Sequence, residues 1–581
     1  MSIRYDQEAE RYIYRLLLQS IIRERLVAYH RTSSGVSIEV PKGGIIEVPL
    51  GHTYKLGHID ISSDPVYIDS SGSRQVIDRM EQLLMLLGFR NERFLKELMN
   101  SALNYASALE AADLRKRTLP QPEQGEDTWE YVIRRYKEEP DFSPLVFFEQ
   151  WVIQGHTTHP AARTKIPMEP EDVKRYAPEW GAAPELVPLA VKRDSTVETA
   201  PFGVEMTEAL LRTAPEMKKE FDQLEGEYKL IPLHPWQAKY TLPEHYGREL
   251  REKIFVPLET KIPSAALMSF RTMAIRDYHI KTAVDVQMTS AVRTVSAAST
   301  KNGPIMAGLL KDIVEEEETM TVSGDLTGIH YNPDHEENRT FYEKNIAALL
   351  RENPETSLHE GEVAMPAAAL IAASPVTGRM LIEEFIGEAT EAAASSFIES
   401  YARTVLPGII RLLSEYGIGM EAHLQNSVII FKNRKPVRID LRDCGGVRIL
   451  PERLNRHFDE APIDPSTNLL TDQEQELTDI FSHALFHNHL GEIIVALSRN
   501  LRIAEESMWE AVKTVIEECF DETHTDRDKS RILEGHSRMK SLVRMRLADQ
   551  FTEYTYVDAP NPFMKEERTY DESPDTSTGG H

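Results

Sequence analysis

The sequence predicts an α+β protein built from several lobes. Short β-branched runs broken by glycine and proline recur at 36–68, 186–191, 230–233, 278–286 and 427–441. Stretches of helical periodicity lie between them and dominate after residue 471. At 581 residues the chain exceeds what one hydrophobic core organises, so two to four lobes are expected.

The elements follow in order. Residues 5–29 space Tyr12, Leu16, Ile21 and Leu26 at roughly helical intervals between charges, as an amphipathic surface helix does. Runs at 36–48 and 54–68 make a small sheet; 75–109 reads as one or two helices and 128–138 as another. The stretch 154–165, Q-G-H-T-T-H-P-A-A-R-T-K, is a structured loop in which Arg163 and Lys165 suit a carboxylate or phosphate; the alternative is an ordinary turn. A Pro- and charge-rich segment at 169–199 suggests a lobe boundary, 207–224 is helical, and His234 in L-I-P-L-H-P-W-Q reads as a packed histidine. Helix is expected across 341–351, a second boundary within 354–375, and a long helix at 390–416 interrupted at Pro407-Gly408. Helices at 472–497, 503–519 and 529–548 follow, with 488–490 and 540–547 placed to cover a site, and 564–581 forms a disordered tail.

The densest chemistry lies at 420–446, M-E-A-H-L-Q-N-S-V-I-I-F-K-N-R-K-P-V-R-I-D-L-R-D-C-G-G. It reads as a polar loop, a β-hairpin and a carboxylate. A hairpin brings its ends together, so Glu421, His423 and Asn426 are expected near Asp443. Carboxylate and amide oxygens beside phosphate suit Mg²⁺, with His423 as proton carrier or phosphate donor; the alternative is a solvated polar loop. A second cluster spans 263–294. Ser269, Arg271 and Thr272, then Lys281, then Thr289, Ser290 and Arg293 repeat donors suited to anion oxygens in an acidic chain. One continuous sheet would gather them. Neither a Walker A motif nor GxGxxG is present, so side chains must hold any phosphates.

The formal charge of −27 argues against a nucleic-acid partner. Two cysteines, Cys444 and Cys519, make neither a disulfide framework nor a Cys-rich zinc site, which suits a reducing cytoplasm. The charged N-terminus lacks a signal-peptide core, and no apolar run reaches membrane-spanning length.

Motifs spread along the chain resemble the IucA/IucC family, the NRPS-independent siderophore synthetases: G-H-T-T-H-P (155–160), L-H-P-W-Q (233–237), S-F-R-T with Lys281 and T-S-A-V-R-T (269–294), E-A-H-L-Q-N (421–426), R-D-C-G-G (442–446), N-H-L (488–490) and K-x-x-x-R-M-R-L with a late N-P-F (540–563). The family's first motif continues H-P-x-x-K-x-R-x-G, whereas Arg163, Lys165 and Pro167 stand here. The resemblance implies a three-lobed cupped hand: a thumb over 1–170, ATP-binding fingers over 171–385 with a mixed or antiparallel sheet, and a largely helical palm over 386–563. It implies ATP and Mg²⁺, adenylation of a carboxylate of citrate or a derivative, and capture of the acyl group by an amine or hydroxylated amine. Ser269, Arg271, Thr272 and Lys281 would hold the triphosphate, Gln425 and Asn426 would face nucleotide, and Glu421 and Asp443 would carry Mg²⁺. Arg293 and His423 would meet the reacting centre, and His159, Thr289 and Ser290 would seat the acid. A cytoplasmic homodimer is implied. Two other readings remain open: a kinase-like phosphotransferase, and a non-catalytic binder of citrate or ferric siderophore.

Overall fold

The computed structural model describes residues 3–458, 463–464, 467–523, 526–548 and 555–564; the expected tail, apart from Met564, lies outside them. The fold is α+β. At the N-terminal end, the helix Ile3–Arg23 and an antiparallel six-stranded sheet between residues 29 and 76 bury Ile13, Leu17 and Ile21 against Val36, Ile38, Ile46 and Val48. Alternation along Gly35–Glu39 turns Val36 and Ile38 inward. The helical stretch expected from 75 begins later, because Arg74–Val76 completes the sheet and the helices are Met80–Leu86 and Glu92–Thr118. Asn91 caps the long helix by accepting the Phe94 N–H, and Asp127 with Glu130 forms a capping box for Thr128–Glu138.

The middle of the chain carries a six-stranded sheet in the order Ala265–Ala266, Thr272–Ile275, Tyr278–Thr282, Ala347–Glu352, Asp325–Tyr331 and Thr196–Thr199, antiparallel throughout. The helix expected across 341–351 is two elements. Arg339–Asn345 is helical, while Ala347–Glu352 is a central strand buried on both faces and so lacks the alternation that marks a half-exposed strand. Residues 207–224 also divide, into Met206–Thr213 and Lys218–Phe221, because Pro215 has no N–H and keeps Ala214 out of the helical region. The expected continuous sheet across 263–294 stops at Thr282; Gln287–Met288 and Ala291–Val292 form a separate ribbon bridged to Ile166.

The hairpin Ser427–Lys432 and Lys435–Arg442 turns through Asn433 and Arg434, both left-handed, as a two-residue hairpin with the twist of its strands requires. Met320–Ser323 joins it in parallel and Glu362–Pro366 antiparallel. Two strands from the range expected for the fingers therefore complete the hairpin's sheet. Glu391–Ser414 is a single helix. Pro407 costs it one hydrogen bond, and Gly408 serves close packing, since a Cβ there would stand 2.5 Å from Met320 Sδ. The single helix expected at 529–548 is Asp526–Leu533, a strand Ser537–Lys540 paired with Tyr556–Ala559, and Leu542–Leu547.

That last helix is pinned to the N-terminal lobe. Glu24 accepts the Val543 and Arg544 N–H groups and the Ser541 hydroxyl, and buried Arg546 holds buried Glu97, with Nε 2.9 Å from Oε2. Chain ends far apart in sequence thus close the molecule around its centre.

Candidate active site

A cavity of about 960 Å³ lies between the middle sheet, the hairpin and the helices that follow it. One wall is the middle sheet. Thr272 lies opposite Lys281 in register, and Lys281 reaches out to Asp443 Oδ1 at 2.6 Å. Ser269, Arg271, Thr289 and Arg293 line the same wall. The Ser269 hydroxyl is buried without a hydrogen-bond partner among the described residues, so it is open to a further partner such as a ligand oxygen. Arg271 donates to the Thr294 carbonyl, and burial together with neighbouring Arg293 lowers its pKa to about 10.

The facing wall is the hairpin mouth. The Arg442 N–H donates to the Asn426 carbonyl, so the loop before the hairpin and Asp443 after it sit side by side. His423 is held by its own loop: its Nδ1 accepts long contacts from the Gln425 and Asn426 N–H groups at 3.3 and 3.4 Å, which leaves Nε2 to carry the proton. Burial lowers its pKa, so the ring is neutral at pH 7. Beneath it, His489 donates to the Ala422 carbonyl at 2.8 Å and accepts from Tyr401. Burial alone would raise the Asp443 carboxyl, but Lys281, Arg351 and Arg271 hold it well below the usual range. Glu421 is likewise held low against burial by Lys540 at 2.8 Å. A Cβ on Gly446 would stand 1.8 Å from Glu421 Oε2, so only glycine admits that carboxylate.

Phe270, Thr289 and Asp443 all line the cavity with positive φ, the left-handed region that a β-branched threonine rarely enters. Such strain costs about 1–3 kcal/mol per residue and gathers at working sites. The roof is the π-helical turn Ser482–Leu490, which presents His483 and Asn488; the Asn488 carbonyl accepts the Leu424 N–H.

Ten of the expected residues line this cavity: Ser269, Arg271, Lys281, Thr289, Arg293, Glu421, His423, Gln425, Asn426 and Asp443. Three sit behind the wall. Thr272 is buried in its strand, and His159, fully buried, gives its Nε2 to Ser290 Oγ at 2.9 Å. His156, three residues earlier, lines the cavity instead, its pKa lowered to about 4 chiefly by burial. Arg163 and Lys165, expected to recognise an anion, are occupied by the chain's own Glu179 at 3.3 and 2.7 Å. Burial alone would raise Glu179, yet the two cations hold it at about 2. Its contribution to stability is therefore full above about pH 4.5, the ordinary value, and is lost as pH falls towards 2. Glu179→Gln should lower the thermal midpoint at pH 7 and lower it less at pH 3; an equal gap at both values would contradict this. His234 is a packed histidine, as expected, stacked on Phe270 with its pKa lowered to about 3 by burial.

Glu149 was not anticipated. Its carboxylate accepts the Met268 N–H at 2.8 Å, beside Ser269, and pairs with Arg442 at 2.5 Å, whose guanidinium donates to the Gln425 carbonyl at 2.7 Å. One buried acid thus ties the two walls. The signal was a lone carboxylate inside the apolar run P-L-V-F-F-E-Q-W, which cannot be buried without partners.

Two sequence models bear on this geometry. That of the IucA / IucC family matches residues 144–372, and along nearly the whole chain the staphyloferrin A synthase of Staphylococcus aureus (strain NCTC 8325 / PS 47) is 26% identical, over 96% of this chain and 99% of its own. The chain is thus similar to the IucA/IucC family. A D-ornithine–citrate ligase from the same strain is 27% identical over 82% of this chain and 77% of its own. Among solved structures, the petrobactin biosynthesis protein AsbB from Bacillus anthracis str. Sterne superposes with a TM-score of 0.80 at 19% identity, over 96% of each chain. The ATP-bound aerobactin synthetase IucA from a hypervirulent pathotype of Klebsiella pneumoniae gives 0.76 at 20%, over 96% of this chain and 100% of its own. These establish the IucA/IucC fold. A second sequence model, described as a ferric iron reductase FhuF-like transporter, matches 395–554. The IucA/IucC match holds the Ser269–Arg293 wall, and the second holds Glu421, Asp443 and Lys540; the cavity is built from both. Among the described residues no helix is long and apolar enough to cross a membrane.

Proposed function

We propose that this acid–amine ligase uses ATP to adenylate a carboxylate of citrate, or of a citrate derivative, and passes the acyl group to an amine or hydroxylated amine, releasing AMP and pyrophosphate in siderophore biosynthesis. The observation that carries the reading is the opposition of Ser269, Arg271, Lys281 and Arg293 to Glu421, His423, Asn426 and Asp443 across one cavity. The three lobes at 1–170, 171–385 and 386–563, a homodimer and a cytoplasmic location belong to the same proposal.

The residues divide the work. Ser269, Arg271 and Lys281 hold the phosphates, and Arg293 brings the acid's carboxylate to the α-phosphate despite their like charge. Fixed cations where pyrophosphate charge develops are each worth about 3 kcal/mol. His423, neutral with Nε2–H outward, donates to an oxygen at the reacting centre. The acyl carbon then accepts the amine, and AMP leaves with the bonding pair. No enzyme nucleophile is needed, which fits a site without a reactive cysteine: burial pushes the Cys444 thiol up to about 12.

Mg²⁺ fits the site. Among the described residues no three acidic, histidine or cysteine groups form a metal cluster. However, Mg²⁺ bound with nucleotide needs only one or two carboxylates beside phosphate and water. Glu421 and Asp443, both kept ionised, would supply them, and the ion would neutralise phosphate charge. Glu421→Gln should raise the Mg²⁺ concentration for half-maximal rate about tenfold; an unchanged titration would remove Glu421 from that role.

The test of the reading is AMP and pyrophosphate formation with ATP, Mg²⁺ and hydroxylamine, offering citrate, 2-oxoglutarate and succinate separately. Hydroxamate formation dependent on citrate is expected. ADP as product would favour the phosphotransferase, and ATP binding without turnover on any acid would contradict free citrate as substrate.

A further inference from the structure

The lysine that opens the motif at 540–547 lines the cavity but has no role in the proposed chemistry. Its backbone is fixed: Lys540 ends the strand paired with Tyr556–Ala559, and its N–H donates to His483 Nδ1 at 3.1 Å. Its ammonium crosses to the hairpin mouth and donates to Glu421 Oε1 at 2.8 Å, a link between residues 119 positions apart.

The two carboxylates of the mouth are held differently. Asp443 lies among three cations, with Lys281 at 2.6 Å, Arg351 at 3.6 Å and the charge of Arg271 added to them. It keeps positive neighbours when Lys281 turns to phosphate. Glu421 makes one ion pair among the described residues, with Lys540. Its other oxygen, Oε2, lies against Gly446, where a Cβ would stand 1.8 Å away. Metal and ammonium therefore compete for Oε1, because two cations on one carboxylate oxygen repel each other. The histidines that feel the Lys540 charge, His156, His423 and His483, are all kept neutral at pH 7 by burial and offer it no second anion.

We infer that Lys540 is a displaceable counter-ion of Glu421: it neutralises the carboxylate until Mg²⁺ enters with nucleotide, then yields Oε1 and turns its ammonium into the cavity. The strand backbone stays in place and only side-chain torsions change. Lys540 thus opposes metal binding, whereas Glu421 favours it. This rests on the reading of Glu421 as an Mg²⁺ carboxylate.

The test is calorimetric and needs no turnover. An ATP analogue with a methylene group between the α- and β-phosphorus is titrated into the wild-type chain, Lys540→Met, Lys540→Gln, Lys540→Arg and Glu421→Gln. Each titration is run with Mg²⁺ and again with the metal removed by a chelator. Lys540→Met should tighten binding of the Mg²⁺ complex about tenfold, and Lys540→Gln, which keeps a neutral donor, about threefold. Neither should tighten binding of the metal-free analogue. Lys540→Arg retains the charge and should bind the Mg²⁺ complex no more tightly than wild type, and Glu421→Gln should weaken that complex about tenfold. The inference is overturned if the two neutral variants bind the Mg²⁺ complex no more tightly than wild type, if the metal-free analogue tightens equally, or if Lys540→Arg tightens as they do. An Mg²⁺ complex indifferent to Glu421→Gln removes that carboxylate from the metal site, and the inference with it.

Discussion

Arg293→Ala and His423→Ala should each lower acid-dependent pyrophosphate release by about 10²–10³-fold while the protein remains folded. Arg293 stands at the end of the small ribbon, partly exposed, so its loss leaves the core intact. It is electrostatically close to Arg271, whose own pKa it helps depress. Two guanidiniums that repel each other in the empty site are stabilised when an anion binds between them, most strongly where pyrophosphate charge is developing. Removing one such donor forfeits roughly 3–4 kcal/mol of transition-state stabilisation. His423 differs, being neutral and positioned by its own loop; its loss removes a proton-bearing Nε2 at the reacting centre. Pyrophosphate release within tenfold of wild type in either variant would contradict that assignment.

Glu149→Ala should destabilise the protein by about 3–5 kcal/mol, because it strands the buried Arg442 guanidinium. The measurement that separates positioning from packing is the double variant Glu149→Leu/Arg442→Met. Replacing both charges with apolar groups of similar size restores most of the thermal midpoint, since a buried pair is rarely worth more than the apolar alternative. Activity should stay low, because the Met268 N–H beside Ser269 and the Gln425 carbonyl beside His423 have both lost their partners. Recovery of activity along with stability would reduce Glu149 to a packing role.

Local chemistry was legible in the sequence where it was dense. The apolar runs either side of Asn433-Arg434 define the hairpin, and its closure brings Glu421, His423 and Asn426 to Asp443 as expected. The donor triplets around Ser269 and Thr289 gave most of the opposite wall. What was hidden depended on burial. Ala347–Glu352 looks helical because a strand buried on both faces has no period, and with it Arg351, a partner of Asp443, went unnoticed. The histidines of 155–160 could not be ranked by sequence, since only the packing of Pro160 and Ala161 against the N-terminal lobe decides that His159 turns in and His156 lines the cavity. Arg163 and Lys165 advertise an anion site; their anion, Glu179, lies in a part of the chain read only as a boundary.

The central claim is that this cavity joins a carboxylate to the α-phosphate of ATP. The most direct measurement uses citrate carrying ¹⁸O in its carboxylates, with ATP, Mg²⁺ and hydroxylamine, followed by mass analysis of the nucleotide product. If the carboxylate oxygen attacks the α-phosphorus and the acyl carbon–oxygen bond is the one cleaved by the amine, each AMP should carry one ¹⁸O. Label in inorganic phosphate with ADP as the nucleotide, or AMP without label, would contradict it.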